Sequence, residues 1–264
     1  MKRVLRIALI LIALVILTAV GAVASAFIGR SAIQPCLVDG FIHVVQDGFV
    51  TANILDIGDG KVALIDAGTD PSGKAILAEL SAMHLDAGAV TVIFLTHGHK
   101  DHVAAAPLFP QAKVYALAPD VALAQGQEGG HGLISRFMPV KPTGVHVSRA
   151  LTDGEIVQAG RRAVHVLAIP GHTAGSAAYW VEGALFLGDS AGATSDGKLA
   201  AAPYVFSDDP EQNRASLKAL AARLVTEHLD VKTLLFAHTG RLETIKPLAE
   251  FAAPPHAESA PAGK

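Results

Sequence analysis

Side chains that bind metal ions are crowded into residues 97–102. The segment holds His97, His99, Asp101 and His102. It directly follows an apolar run, 90–95, that predicts a strand. Because residues i and i+2 point the same way in an extended chain, His97 and His99 can bind one ion while Asp101 and His102 turn toward a second.

Three more candidate ligands follow other predicted strands. His172, Asp189 and His238 come directly after or close behind the apolar segments 164–169, 184–187 and 234–237. Loops from several strand ends often converge at one edge of a sheet, where a scaffold builds its active site. With a single cysteine in the chain, imidazole and carboxylate must supply the ligands of any metal site.

In this order the residues resemble the metallo-β-lactamase superfamily, whose hallmark is an H-x-H-x-D-H motif followed by separate His, Asp and His ligands. All seven positions are filled, and the resemblance covers about residues 41–251. It implies an α/β fold, a four-layer αββα sandwich with the site at one edge.

The resemblance also implies a role for each ligand, with two Zn²⁺ per chain; iron or manganese stays possible. The first ion would be held by His97, His99 and His172, and the second by Asp101, His102 and His238. Asp189 would bridge both. Asp66, in Leu64-Ile65-Asp66-Ala67-Gly68, matches an early motif of the superfamily and is expected to fix a ligand loop without touching metal.

Such a ligand set predicts a hydrolase. Two divalent ions that share a water can bring its pKa from about 15.7 to about 7, which leaves a hydroxide ready to attack. Asp101 is the expected catalytic residue, accepting a proton or orienting the hydroxide. We therefore expect cleavage of an acyl bond in a small molecule, a thioester, ester or lactone.

The chain departs from the residue patterns of several subfamilies, and these departures limit the reactions to be expected. In the β-lactamases proper the position of Asp189 is usually Cys or Ser, so this carboxylate argues against β-lactam hydrolysis, whereas glyoxalase II-like thioesterases carry Asp. Full glyoxalase II enzymes add a helical region after the last ligand, and residues 239–264 are all that follow here. Lactonases place a tyrosine close after the bridging Asp, where this chain reads Ser190-Ala191-Gly192.

Three alternatives stay open at this point. One is an iron-dependent oxidoreductase resembling persulfide dioxygenases, for which His172 and Asp189 with one of the first histidines would suffice. The others are a β-lactam hydrolase and a non-catalytic, membrane-tethered metal-binding module.

A segment near residues 125–144 is a candidate flap over the site, since it is rich in glycine and poor in periodic apolar positions. Its substrate-facing candidates are His131, Arg136 and Phe137. Tyr204 is a further candidate from a later loop.

The spacing of apolar and turn-forming residues predicts the strands and helices that position these side chains. Short apolar runs punctuated by Gly, Asp and Pro predict a strand-rich body. Asp209 and Pro210 predict a helix start, and Leu217, Leu220, Ala221, Leu224 and Val225 give that helix one buried face. We expect a catalytic domain over 41–251, a linker over 31–40 and an Ala/Pro-rich tail over 252–264.

The N-terminal residues 1–30 predict a signal anchor or a signal peptide. Ile7 to Gly29 carries no charge, and as a helix it would cover about 35 Å against about 30 Å of hydrocarbon. Basic residues precede it, so the catalytic domain is expected outside the cytoplasm, periplasmic or at the outer face of a membrane. Ala24-Ser25-Ala26 fits a signal cleavage site, and cleavage would give a secreted or periplasmic protein.

Composition limits the partners. A formal net charge of −3 offers no basic surface for nucleic acid. The expected partners are a small-molecule substrate and a membrane, the latter through the N-terminal helix, with no protein partner.

Overall fold

The computed structural model describes residues 2–254 of the chain. The strands are β1 (Cys36–Val38), β2 (Ile42–Asp47), β3 (Val50–Gly58), β4 (Lys61–Ile65), β5 (Val90–Phe94), β6 (Lys113–Leu117), β7 (Val147–Leu151), β8 (Ile156–Ala159), β9 (Arg162–Ala168), β10 (Ala177–Val181), β11 (Ala184–Phe186), β12 (Ala191–Ala193), β13 (Leu199–Ala201) and β14 (Thr233–Leu235). The helices are α1 (Lys2–Ser25), α2 (Lys74–Ala82), α3 (Lys100–Val103), α4 (Val121–Ala124), α5 (Pro210–Thr226) and α6 (Lys246–Ala252).

Two mixed sheets form the body of the molecule. The first has seven strands in the order β1-β2-β3-β4-β5-β6-β7, antiparallel up to β4 and parallel from β4 to β7. The second has five strands in the order β14-β11-β10-β9-β8, and β12 and β13 form a separate hairpin. The predicted α/β class is confirmed.

Three apolar clusters fill the spaces between the layers of helices and sheets. The middle cluster joins the facing sides of the two sheets and includes Leu55 and Phe94 from the first sheet and Val164 and Tyr179 from the second. Outside it, α2 and α3 cover the other face of the first sheet, and α5 and α6 cover that of the second. The layers therefore run helix, sheet, sheet, helix, as expected, because each helix buries its apolar side on a sheet.

Strand direction in the second sheet explains where the predicted ligands collect. β9 and β11 are both antiparallel to β10, and β14 is parallel to β11. These three strands therefore point the same way, and their carboxyl ends lie at one edge of the sheet. His172, Asp189 and His238 follow those three ends.

Near the N-terminus the structure differs from the expectation. Residues 2–25 do form a helix, but across residues 2–254 no helix combines the length and hydropathy that crossing a bilayer requires. The predicted transmembrane or signal helix is therefore not supported. An α-helix satisfies its own backbone hydrogen bonds with or without a bilayer, so a helix over residues 2–25 does not by itself indicate a membrane span.

Secondary structure extends into two of the segments that the sequence sets apart from the catalytic domain. The predicted linker 31–40 contains strand β1, which pairs with β2, and Val38 of this strand is buried in the middle cluster. The predicted tail begins within α6, which ends at Ala252, and its residues from 255 onward lie outside the described residues.

Candidate metal centre

The segment that carries the first four candidates leaves β5 at the edge where the two sheets meet. Thr96 follows this strand and is anchored by Asp66, whose Oδ1 accepts the Thr96 backbone N–H at 2.8 Å. The chain stays extended at His99 (φ −68°, ψ 152°) and then turns into α3. Asp101 and His102 therefore lie on the first turn of a helix, while His97 and His99 precede it.

Four ligand atoms form a first group. His99 Nδ1 lies 3.0 Å from His97 Nε2 and 3.1 Å from His172 Nε2. Asp189 Oδ2 lies 3.4 Å from His172 Nε2 and 3.9 Å from His97 Nε2. All four atoms are within 4.8 Å of one another, which is the spacing of ligands around a single ion.

A second group adjoins the first. Asp101 Oδ2 lies 3.8 Å from His102 Nε2 and 3.5 Å from His238 Nε2. Asp189 also reaches this group, with Oδ1 at 3.2 Å from His102 Nε2 and Oδ2 at 3.1 Å from His238 Nε2. The structure thus brings all seven predicted ligands together and places Asp189 between the two groups.

The residues fit divalent ions by their chemistry. Imidazole nitrogens and carboxylate oxygens in groups of three or four are the donors that zinc and related metals take. His102 Nε2 and Asp189 Oδ1 are buried and lie 3.2 Å apart, but their alignment does not make a hydrogen bond, and neither atom has another partner among the described residues. Buried polar atoms are rarely left unpaired, and two bound cations would satisfy both of these.

Comparison with known proteins decides the family. A sequence model of the metallo-beta-lactamase superfamily matches residues 45–238, which is more than half of the chain. The chain belongs to the metallo-beta-lactamase superfamily.

Two curated superfamily relatives are named hydroxyacylglutathione hydrolase. The protein of Fuscovulum blasticum is 30% identical over 190 residues, covering 71% of this chain and 60% of the relative. That of Dechloromonas aromatica is 34% identical over 186 residues, covering 69% and 56%. This chain therefore spans a little over half the length of these relatives.

Among solved structures, a metallo-beta-lactamase named SMB-1, bound to 2-mercaptoethanesulfonate, is 27% identical with a TM-score of 0.61. The match covers 79% of this chain and 81% of that chain. The sequence-level resemblance to the superfamily is confirmed, and the chain is similar both to proteins named hydroxyacylglutathione hydrolase and to one named metallo-beta-lactamase.

Burial keeps two histidines of the superfamily site neutral. Burial, followed by the charge of His102, lowers the pKa of His97 well below its usual value. Burial likewise lowers the pKa of His172 to about 3. A neutral imidazole is the form that binds metal, so these rings are ready to coordinate across the neutral pH range.

In the second group the histidine pKa values are raised instead of lowered. Burial favours the neutral form of His102, but the carboxylates Asp189, Asp66 and Asp101 outweigh it and raise the pKa of His102 well above its usual value. Burial also opposes the charge on His238, and Asp189 in turn raises its pKa. Although burial favours neutral Asp189, His238 and His102 lower its pKa well below the usual value. Without metal, this half is an ion cluster that holds protons where a cation would bind.

Asp66 stands behind His102, where the sequence placed a supporting carboxylate. Its Oδ2 accepts from His102 Nδ1 at 2.9 Å and from the Thr96 hydroxyl at 2.7 Å. The backbone of Asp66 has φ 61°, a left-handed conformation that is uncommon for a residue with a side chain. This conformation aims the carboxylate at both partners.

Asp120 is a supporting residue that the sequence reasoning missed. Its carboxylate is buried and accepts from the Gly98 and Gly175 backbone N–H groups at 2.7 and 2.6 Å and from the Thr173 hydroxyl at 2.8 Å. Burial raises the pKa of this carboxyl. Asp120 thus joins the loop of His97 and His99 to the loop of His172. The available signal was an acidic residue three positions after the end of β6.

None of the four substrate-facing candidates, His131, Arg136, Phe137 and Tyr204, belongs to the two ligand groups. The backbone N–H of exposed His131 donates to Asp208 Oδ1, and the Arg136 guanidinium donates to the carbonyls of Gly132 and His131. Arg136 therefore braces its own loop.

Tyr204 is 70% exposed and lines a cavity of about 420 Å³, together with Arg30, Arg214 and Phe251. None of the seven ligands lines this cavity. The loop at 125–144 does approach the cluster, but through Gly130, where an added Cβ would lie 3.2 Å from His99 Nε2.

Proposed function

We propose that this superfamily member is a hydrolase with two metal ions that cleaves an acyl bond of a small molecule, with a thioester as the first substrate class. The observation that carries the proposal is the position of Asp189. One oxygen of this carboxylate faces His97 and His172, and both of its oxygens face residues of the second group. A single carboxylate placed in this way is suited to hold two cations side by side.

The ions, when bound, supply a water with a pKa near neutrality and polarise the oxygen of the substrate. The protein holds and orients the groups around them. His97, His99 and His172 form one group with Asp189, and His102 and His238 form the adjoining group with Asp101. Zinc suits this donor set, and manganese or iron also accepts imidazole and carboxylate.

Asp101 is the proton acceptor in this proposal. Its side chain is 25% exposed, whereas that of Asp189 is 11% exposed. One of its oxygens faces His102 and His238, and the carboxylate lies at the open side of the cluster. A carboxylate in that place can take a proton from water and return it to a leaving group within hydrogen-bond reach.

A small-molecule substrate is supported by the relatives and by the rim of the site. The curated relatives are named for hydrolysis of a hydroxyacylglutathione, which is a thioester. The ring of Phe49 is 56% exposed and stacks on His238, with the centroids 5.6 Å apart. An apolar acyl group could lie against this exposed aromatic face.

A β-lactam is the second candidate substrate. The similarity to SMB-1 favours it, and the carboxylate at position 189 weighs against it. The extracytoplasmic location and the membrane contact expected from the N-terminal segment stay predictions.

The test combines metal analysis with a substrate panel. Protein purified without added metal is analysed for zinc, iron and manganese, and is then assayed on a hydroxyacylglutathione, a lactone and a β-lactam. We expect two divalent ions per chain and hydrolysis of the thioester. One iron per chain with no hydrolysis would instead support the iron-dependent oxidoreductase.

Asp189→Ala should lose both metal and turnover, while Asp196→Ala is the matched control because that aspartate is exposed on the turn of the following hairpin. Unchanged hydrolysis in Asp189→Ala would overturn the proposal. Full metal content with no turnover on the whole panel would favour a non-catalytic metal-binding module.

A further inference from the structure

Four of the five histidines in the cluster use their outward ring nitrogen in a hydrogen bond. His97 Nδ1 lies 3.2 Å from Thr96 Oγ1, and His102 Nδ1 lies 2.9 Å from Asp66 Oδ2. The other two outward nitrogens are His172 Nδ1, 3.4 Å from Ser207 Oγ, and His238 Nδ1, 3.0 Å from the Phe49 carbonyl. Partners of this kind fix the tautomer and orientation of a metal-binding ring.

His99 is the exception. It turns Nδ1 inward, toward His97 and His172, so its outward atom is Nε2. That atom is buried and has no hydrogen-bond partner among the described residues. A neutral imidazole that binds metal through Nδ1 carries its proton on Nε2. An unpaired buried N–H costs about 1–3 kcal/mol, so a partner is expected nearby.

Ser135 supplies the complementary group. The residue is 5% exposed, and its hydroxyl is also buried without a partner. A Cβ added at Gly130 would lie 2.5 Å from Ser135 Oγ and 3.2 Å from His99 Nε2. Both atoms therefore border the same small space beside Gly130, and a hydroxyl oxygen can accept the proton that His99 must donate.

Ser135 is held in this place by both flanks of its loop. The Ile134 N–H donates to the Val205 carbonyl at 3.1 Å, and the His131 N–H donates to Asp208 Oδ1 at 2.8 Å. Farther along, Lys100 Nζ donates to the Pro139 carbonyl at 2.6 Å. Because Lys100 lies between His99 and Asp101, this last bond ties the loop to the ligand segment itself.

We propose that Ser135 is a positioning residue for the metal centre: its hydroxyl accepts a hydrogen bond from His99 Nε2–H, directly or through one water molecule. The inference rests on the metal site of the proposed function. It gives the loop 125–144 a role that its sequence did not reveal, since this loop completes the support of a ligand. It also explains Gly130, where a side chain would separate the two groups.

Zinc affinity is the first test. Zinc binding is measured by competition with a chromophoric chelator for the full chain and for Ser135→Ala, Gly130→Ala and Ser81→Ala. Loss of an outer hydrogen-bond partner of a metal ligand lowers affinity about 10- to 100-fold. We expect that loss in Ser135→Ala and Gly130→Ala. Ser81→Ala removes an exposed hydroxyl on α2 and should bind zinc as the wild type does.

Nuclear magnetic resonance of the zinc-loaded protein tests whether Ser135 acts on His99 itself or only on the stability of the loop. With labelled histidine, the Nε2–H of His99 should exchange slowly in the wild type, quickly in Ser135→Ala, and slowly again in Ser135→Thr, which keeps the hydroxyl. Equal zinc affinity and equal protection of this proton in Ser135→Ala would overturn the role of Ser135 and leave the metal site intact. A wild type that binds no zinc would overturn the proposed function as well.

Discussion

His102 and Asp66 form a buried pair in which Nδ1 and Oδ2 lie 2.9 Å apart and neither side chain is more than 3% exposed. The pair connects the ligand helix α3 to the end of β4, because Asp66 directly follows that strand. His102 presents its other nitrogen, Nε2, to Asp189 and Asp101. The direction in which this ligand points is therefore set by a residue that does not face the cluster.

Asp66→Asn should weaken metal binding while the protein stays folded. The carboxylate of Asp66 accepts hydrogen bonds from His102 and Thr96. The amide of Asn would place an N–H at that position, so one of these two donors must turn away. We expect zinc affinity to fall about 10- to 100-fold, measured by chelator competition. Asp59→Asn is the control, because Asp59 shares the left-handed backbone conformation (φ 55°) on an exposed turn. Equal zinc affinity in the two variants would contradict the supporting role of Asp66.

Metal binding should release protons from His102 and His238. The raised pKa values of His102 and His238 mean that these rings hold protons at pH values where a free histidine has lost them. A metal ion must displace those protons, so affinity falls as the pH is lowered. The depressed pKa values of His97 and His172 mean that these two rings are already neutral near neutral pH and have no proton to release there.

Calorimetric titration with zinc checks this prediction. The apparent enthalpy at pH 7 should vary with the ionisation enthalpy of the buffer, and the dependence should shrink in His102→Ala. A binding enthalpy that is the same in every buffer would show that no proton leaves on binding.

The clustering of the candidate ligands could be expected from the sequence because much of the pattern is local. His97, His99, Asp101 and His102 occupy one short segment, and the remaining ligands follow apolar strands whose ends the sheet topology brings together. The N-cap of α5 was also predictable, since the Asp209 side chain accepts from the Glu211 and Gln212 N–H groups.

The supporting contacts were not predictable in the same way. Ser207 and Phe49 contact ligand side chains, and Asp120 contacts a ligand loop at Gly98, only through tertiary contacts between residues far apart in the sequence. Periodicity also has a limit in α5, where Leu217, Leu220 and Leu224 are buried as predicted but Val225 is 71% exposed. The 3.6-residue spacing of apolar positions locates the centre of a helix's buried face better than its edge. The width of that face depends on the elements that pack against the helix.

Asp120→Ala should destabilise the protein and loosen the metal site together. Removing this carboxylate leaves the Gly98 and Gly175 N–H groups and the Thr173 hydroxyl without their buried acceptor. Each unsatisfied buried donor costs about 1–3 kcal/mol, and partial relaxation makes a total of about 3 kcal/mol reasonable. Urea unfolding measures the free energy of unfolding, and chelator competition measures zinc affinity. Asp230→Ala, at an exposed position, should change neither. Normal stability in Asp120→Ala would contradict the bridging role.

Gly171→Ala should displace His172 from the cluster. Gly171 has φ +131°, a conformation that residues with a side chain rarely adopt, and an added Cβ would lie 2.1 Å from the backbone nitrogen of Asn213 on α5. The backbone strain costs about 1–3 kcal/mol and the steric conflict about 1–3 kcal/mol more. Because neither the helix backbone nor the β9 end can retreat without disturbing the core, we expect the loop that carries His172 to move and zinc affinity to fall.

Gly197→Ala separates strain from steric conflict. Gly197 also has a positive φ (+79°), but nothing lies within 4 Å of an added Cβ, so this variant carries backbone strain alone. It should lose about 1 kcal/mol in urea unfolding and keep its zinc affinity. If Gly171→Ala lost no more stability than Gly197→Ala and bound zinc equally well, the close approach of α5 to the His172 loop would not be what fixes this ligand.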